Sequence, residues 1–473
     1  MNRMNNIFSS KDRNLTEGSI WKNLLILSLP IILSNMFQTF YNMADAFWLG
    51  KLGKTALAAP TITFNVVFTI IALAGGLAMG GTTLVGQYKG AKDEKMVNRA
   101  AGNTYSMIFI IALMLAAIGF IFSPQILRLL QTPHEAYSDT LVYMRITFIG
   151  MPFVFGYFIF QGILQGYGNT ISPMKLNAFT VILNVVLDPL LIFGWGPFPA
   201  MGVAGAGIAT VFSQFTASMI GTIHLFSGRY GVKISLKTMM PDMEIIKNIL
   251  RIGLPISLGQ TGTSFGFTIL MGIVNTLGTA TVGAFGIGNR IISLLVMPAM
   301  GLARGNSIMV AQNIGADKVK RAERTVWTSV AINSVILFIF TTLLFFFGGY
   351  VVKFFINDPE VIKIGTQMFR ITAYSVLFFS IMIVFNGAFQ GSGHTMPVFV
   401  LQLARLWLFR LPFAYLFTKI MDMGYNGIFW AMFISNSVIA VASFIWFSRG
   451  TWKERIIHKE PVETEDIIVS VSD

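Results

Sequence analysis

The chain has no cysteine, which excludes disulfides and thiolate metal sites. Charge is scarce as well: Asp, Glu, Lys and Arg make up 12% of its 473 residues, against about 25% in a soluble domain. With 54% hydrophobic residues and a mean hydropathy of +0.68, the composition is that of a membrane protein built from many helices. No G-x-x-x-x-G-K-[ST] loop is present, so the chain does not itself burn ATP. H-E-x-x-H does not occur, and His134, His224, His394 and His458 are scattered. No nucleophile–base pair or metal-ligand set falls within the apolar segments, which argues against an intramembrane enzyme. The net charge of +13 does not point to nucleic acid, because the basic residues sit in short loops between apolar spans. The first span is too long for a signal peptide and lacks a small-residue cleavage site.

What the chain does have is twelve apolar segments. They run at about Leu24–Leu49, Leu57–Thr82, Ala100–Phe122, Thr140–Leu164, Ser172–Phe193 and Gly202–Phe226, then Ile246–Asn275, Val282–Ser307, Val326–Phe347, Gly365–Phe389, Met396–Thr418 and Gly424–Phe447. A polar tail (1–21) precedes a first lobe (22–226). A linker (227–245) leads to a second lobe (246–447), and a tail (448–473), expected to be disordered, ends the chain. With a cytoplasmic N-terminus, twenty Lys and Arg fall on the inner side and six on the outer. Positive-inside bias therefore predicts that both termini are cytoplasmic.

The two halves match at a constant offset of 225 positions across four spans. Pro30 becomes Pro255, and Gly76 and Gly80 become Gly301 and Gly305. Gln87, Gly90 and Ala91 become Gln312, Gly315 and Ala316, and Gln165-Gly166-x-Gly168 becomes Gln390-Gly391-x-Gly393. Six spans per copy is an even number, so both copies enter the membrane from one side. Parallel repeats of this kind are a transporter architecture with the substrate site between the halves. The paired glycines are expected to be close-packing surfaces.

The first span organises the chain. Ser34, Gln38, Tyr41, Asn42 and Asp45 recur at spacings of three and four, so they share a helical face. With Met36 beside them, Ser34, Gln38 and Asn42 are candidates to line a substrate cavity. Pro30 removes a backbone hydrogen bond and is a candidate bend. An acidic side chain in hydrocarbon costs roughly 2.5–3.5 kcal/mol on insertion scales, so it marks a wet cavity or a partner helix. Only Asp45 and Asp188 carry such charge inside the spans, and both belong to the first half at similar depth. Adjacent carboxylates cannot cheaply both stay charged, so the pair is suited to taking up a proton. With Asn184, Tyr41 and Thr210 it offers hard oxygen ligands to a small cation instead. Pairing with Arg145 is the plain structural alternative. The second half has Leu270 at the repeat position of Asp45. It carries Arg290, Arg370, Arg405 and Arg410, expected to satisfy carbonyls or snorkel, or else to face the cavity and favour anions.

Several features together resemble one known family: Pro30 with YNMADAFWLGKLG, GQYKGAK echoed by AQNIGA, the paired Q-G-x-G turns, and N-x-x-x-D-P at Asn184. From about Trp21 to Phe447 the chain resembles multidrug and toxic compound extrusion (MATE) transporters. It is most similar to the branch related to the DNA-damage-inducible F protein, especially its archaeal members. The resemblance implies an all-α polytopic protein of twelve helices in two pseudo-symmetric six-helix bundles, the fold of the wider MOP superfamily. It implies a plasma-membrane antiporter that exports organic, often cationic and aromatic compounds against inward H+ or Na+, needs no cofactor and acts as a monomer. It further implies that Asp45, Asn184, Asp188 and Thr210 form a cation site with the Ala206 carbonyl, that Tyr41 and Tyr143 join its hydrogen bonds, and that Pro30 is the bend. A lipid-linked precursor flippase of the same superfamily is the alternative, motivated by the second-half arginines.

Overall fold

The structure, a computed structural model, describes residues 14–196 and 198–457. His458, and Arg3, Lys11, Arg13 and Lys459 from the count of inner-side charges, lie outside the described residues. Twelve long helices follow one another: α1 (Ile20–Leu52), α2 (Lys54–Gly90), α3 (Glu94–Leu129), α4 (His134–Tyr167), α5 (Ile171–Phe193) and α6 (Gly202–Ser227). The second six are α7 (Met243–Asn275), α8 (Thr279–Gly315), α9 (Val319–Phe355), α10 (Pro359–Ser392), α11 (Met396–Ile420) and α12 (Tyr425–Ser448). Eleven are both long and apolar enough to cross a bilayer. The other, α7, is diluted by the polar run 260–264 but has 33 residues, about 50 Å at 1.5 Å per residue.

The helix ends follow local chemistry. Asp93, Asp242 and Asp358 cap α3, α7 and α10 by accepting backbone N–H bonds from their first turns. Gly168 and its repeat partner Gly393 close α4 and α10 with φ of 100° and 84°, a conformation that favours glycine. Most helices outrun the apolar segments, both at the side where the two termini lie, here the terminal side, and at the far side. The polar turns there continue the helix instead of breaking it. One helix departs from regular α geometry: α11 contains wider π turns at Ala404–Arg410 and Leu416–Ile420.

The two six-helix bundles meet around a pseudo-two-fold axis. Gly76 of α2 approaches Gly253 and Ser257 of α7, and its counterpart Gly301 of α8 approaches Ser28 and Ile32 of α1. Gly80 meets Ile249, while Gly305 meets Ser28 and Leu24. Gly90 abuts Gln312 and Gly315 abuts Gln87. The offset of 225 relates each contact to its mate, so the glycines are close-packing surfaces between the halves. Met79 and Arg304, themselves 225 apart, touch each other, with Arg304 Nη1 2.8 Å from Met79 Sδ. A residue that touches its own repeat counterpart lies on the axis. Gln87 Nε2 donates to the carbonyls of Gly391 and Ser392, and Gln312 Nε2 to that of Gly166.

All these contacts lie on the terminal side. On the far side each bundle has a core of its own, around Leu49, Ala56, Ile192 and Val203 in the first and Leu270, Phe285, Phe369 and Phe429 in the second. The halves thus meet at the terminal side, while on the far side each packs around a core of its own.

The described parts of both tails pack on the bundle, and for 449–457 this overturns the expectation of disorder. The first was read as a polar tail, yet Leu15 is buried against α8 and its carbonyl accepts from Asn313 Nδ2 at 3.4 Å. Lys318 Nζ donates to Thr16 O and Arg321 Nη2 to Glu17 O. The second was expected to be disordered, but 449–457 folds back under the bundle. Trp452 is buried and stacked on Phe447 at 4.8 Å. Lys453 and Arg455 pair with Glu323 and Asp317, Ile456 N donates to Gln87 Oε1, and Ile457 enters the first-half core. Apolar residues spaced among the charges give this segment something to bury. Each tail therefore straps its own half to the other.

Candidate functional site

Helix α1 works as two parts. Residues 24–32 pack on α8 of the second half, whereas Ser34, Tyr41 and Asp45 turn toward α5 and α6 of the first. Pro30 falls at the junction. The helix is unbroken through it, but without an N–H there the carbonyl of Ile26 lacks its usual backbone donor. Asn177 Nδ2 of α5 braces the upper part by donating to Ser34 O at 3.0 Å.

Near the far ends of α1 and α5, the Asp45 and Asp188 carboxyls lie within hydrogen-bonding reach of each other. Asp188 and Asn184 are both 0% exposed. Asn184 Nδ2 donates to Asp188 Oδ1 at 3.3 Å. The Tyr41 hydroxyl donates to Thr210 Oγ1 of α6 at 2.8 Å and also lies within reach of Asp45. Tyr143 of α4 faces the same two carboxylates. Ala206 is buried one turn before Thr210, in a cluster with Leu49, Ile192 and Tyr143. Pro189, directly after Asp188, frees the carbonyl of Val185 from its backbone donor. The structure thus brings together Tyr41, Asp45, Tyr143, Asn184, Asp188, Ala206 and Thr210.

The electrostatics of this cluster are unbalanced. Two unit charges about 4 Å apart repel by roughly 4 kcal/mol at an effective dielectric of 20. Neither aspartate has an ion pair among the described residues. Arg145, the alternative partner, instead lies over the Phe120 ring at 5.2 Å. Three buried oxygens of the cluster, Asp45 Oδ1, Asn184 Oδ1 and Asp188 Oδ2, have no hydrogen-bond partner. The donors are all oxygens: two carboxylates, an amide, a hydroxyl and phenols. Such a set suits a proton or a hard cation such as Na+. Among the described residues, no three His, Cys, Asp or Glu side chains gather to hold a metal ion.

The polar stripe of α1 splits along its length. Met36, Gln38 and Asn42 are exposed, with Gln38 Nε2 3.5 Å from Asn42 Oδ1. Ser34 is buried and donates its hydroxyl to Pro30 O, so it braces the helix rather than lining a cavity. In the second half Arg290 and Arg370 are exposed. Arg410 is buried and bonded to the side chains of Ser435 and Asn436, and Arg405 lies over Phe379. These two arginines neither bond backbone carbonyls nor snorkel. Sequence reasoning missed Asn177, Ser435 and Asn436, whose signal was only that each is polar inside an apolar run.

Comparison with known proteins fits this architecture. The MatE family profile matches residues 30–190 and 255–416, one stretch in each half. The chain is 30% identical to the probable multidrug resistance protein YpnP of Bacillus subtilis, over 94% of this chain and 98% of that one. It is 29% identical to a FAD transporter of Shewanella oneidensis, over 92% and 96%. A solved structure described as MATE in the bent conformation superposes with a TM-score of 0.87 at 27% identity, covering 92% of this chain and 96% of the other.

Proposed function

The chain belongs to the MatE family, and from that premise we propose that it is a secondary antiporter. In this reading it exports organic compounds, often cationic and aromatic, in exchange for inward H+ or Na+. It does so by alternating access between lobes 22–226 and 246–447, as a monomer in the plasma membrane with both termini, linker 227–245 and tail 448–473 cytoplasmic. The terminal side is then the inner face, and the conformation here is outward-open.

The observation that carries the reading is the unpaired Asp45–Asp188 couple with three unpartnered buried oxygens around it. A proton or Na+ neutralises it. When the ion leaves, repulsion between the carboxylates pushes the outer part of α1 away from α5. Because residues 24–32 of the same helix hold α8, that movement reaches the contact between lobes, with Pro30 as the pivot. Substrate occupies the cleft beside Met36, Gln38 and Asn42. Two acidic helices on one lobe confine ion coupling to that lobe, since Leu270 stands where a second Asp45 would be.

The test is dye efflux from reconstituted vesicles with proton and sodium gradients imposed separately. The reading expects uphill efflux with at least one gradient and none without. Efflux that ignores both gradients overturns it. The flippase alternative draws on Arg405 and Arg410. It predicts indifference to dyes and strong loss of lipid-linked precursor translocation in Arg405→Ala.

A further inference from the structure

Where the first lobe buries two carboxylates, the second lobe buries two arginines, Arg405 and Arg410, on α11. Helices α10, α11 and α12 are the repeat partners of α4, α5 and α6. At the offset of 225, α5 starting at Ile171 matches α11 starting at Met396, and Asp188 maps to Phe413. Arg410 lies three residues, about one helical turn, before that position. Its surroundings correspond too: Asp188 lies among groups from α4 and α6, and Arg410 among groups from α10 and α12.

Arg410 Nε donates to Ser435 Oγ at 3.0 Å, and Nη2 donates to Asn436 Oδ1 at 2.6 Å. Asn436 is held in turn by Ser375 Oγ of α10 at 3.3 Å. Arg405, one π turn earlier, stacks its guanidinium 4.4 Å from the Phe379 ring centre, and its buried Nε has no partner. The two arginines are 8% and 7% exposed and close enough to repel each other. No Asp or Glu occurs within the second-lobe apolar segments. Every partner they have is therefore neutral. Buried guanidiniums are normally kept where carboxylates or phosphates meet them, because their planar fork matches an oxyanion. The helix that carries both is wound as a π turn over Ala404–Arg410, and π turns inside α-helices gather at functional sites.

We infer that the side-chain cluster around Arg405 and Arg410, between α10, α11 and α12, binds an oxyanion, namely the carboxylate or phosphate group of a transported compound. This rests on the reading of the chain as an exporter. It extends the substrate class from organic cations to anionic and amphoteric aromatic compounds, with the acidic group held by the second lobe while the coupling ion is held by the first.

The test compares two probes in reconstituted vesicles, carboxyfluorescein as an anionic aromatic and ethidium as a cationic one. Wild type, Arg405→Gln, Arg410→Gln and Arg410→Lys are measured, each checked for an unchanged melting temperature. Carboxyfluorescein efflux is expected to fall at least tenfold in both Gln variants and to recover in part in Arg410→Lys. Ethidium efflux should stay within twofold throughout. Equal loss of both dyes in Arg410→Gln, without rescue by Arg410→Lys, means a structural role and overturns the inference. So does wild-type protein that moves ethidium but not carboxyfluorescein. An Arg-dependent rise in melting temperature on adding phosphatidylglycerol, with both fluxes unchanged, overturns it in favour of a bound lipid headgroup. Loss of wild-type ethidium efflux would instead count against the exporter reading itself.

Discussion

Placing methyl groups on Gly76 and Gly80 should drive the two halves apart on the terminal side. A Cβ at Gly80 would stand 2.5 Å from the carbonyl oxygen of Ile249, and one at Gly76 2.8 Å from that of Gly253. Both obstacles are backbone, so no rotamer change relieves them. Overpacking of this kind costs about 1–3 kcal/mol per site. The sites share one interface, so the two costs need not add, but together even about 2.7 kcal/mol shifts a two-state balance roughly a hundredfold. The penalty exists only while α2 lies against α7. It is absent once the terminal side opens. Gly76→Ala/Gly80→Ala should therefore populate the state open at that side. The natural lack of cysteine makes spin labelling direct. Leu129→Cys and Phe354→Cys sit on the far ends of α3 and α9, one per bundle, at 85% and 86% exposure. The label-to-label distance should shorten in the double alanine variant. Gly272→Ala, where a Cβ meets nothing within 4 Å, should leave it unchanged. A double variant whose distance distribution matches wild type would refute the claim that these glycines hold the closed side.

Two further outcomes concern the C-terminal strap and the turn between α10 and α11. Trp452→Ala empties a fully buried site under α12. Large aromatic truncations cost roughly 3–5 kcal/mol in cores, so limited proteolysis should cut after Ser448 far faster than in wild type. His394, between α10 and α11, is held below the usual imidazole range, first by burial. The folded chain thus favours the neutral ring, and its stabilising contribution is present above about pH 6.5 and lost as pH falls below it. Melting temperatures of His394→Gln should fall less steeply on acidification than those of wild type, and parallel curves would discard this assignment.

The helices were legible because apolar runs of bilayer length announce themselves, and the close packing between halves was legible because repeats kept Gly76/Gly301 and Gly80/Gly305. The meeting of Asp45 with Asp188 could be placed by depth alone. The Tyr41–Thr210 bond could not, since it needs the register of α6 against α1, and the loop before α6 hides that register. The straps were missed because composition averages over a tail, while Trp452, Ile456 and Ile457 act singly. The neutral shell of Arg410 was missed for a similar reason: Ser435 and Asn436 look like ordinary polar residues until the π turns of α11 aim the guanidinium at them.

The central claim is that the Asp45–Asp188 couple converts an ion gradient into movement of the lobes. Transport by Asp45→Asn and Asp188→Asn, compared in two modes in the same vesicles, tests it most directly. Uphill, gradient-driven dye efflux should be lost in both variants while gradient-independent exchange of dye for dye persists. If both variants still pump uphill at the wild-type rate, the couple does not carry the coupling ion and the account is wrong.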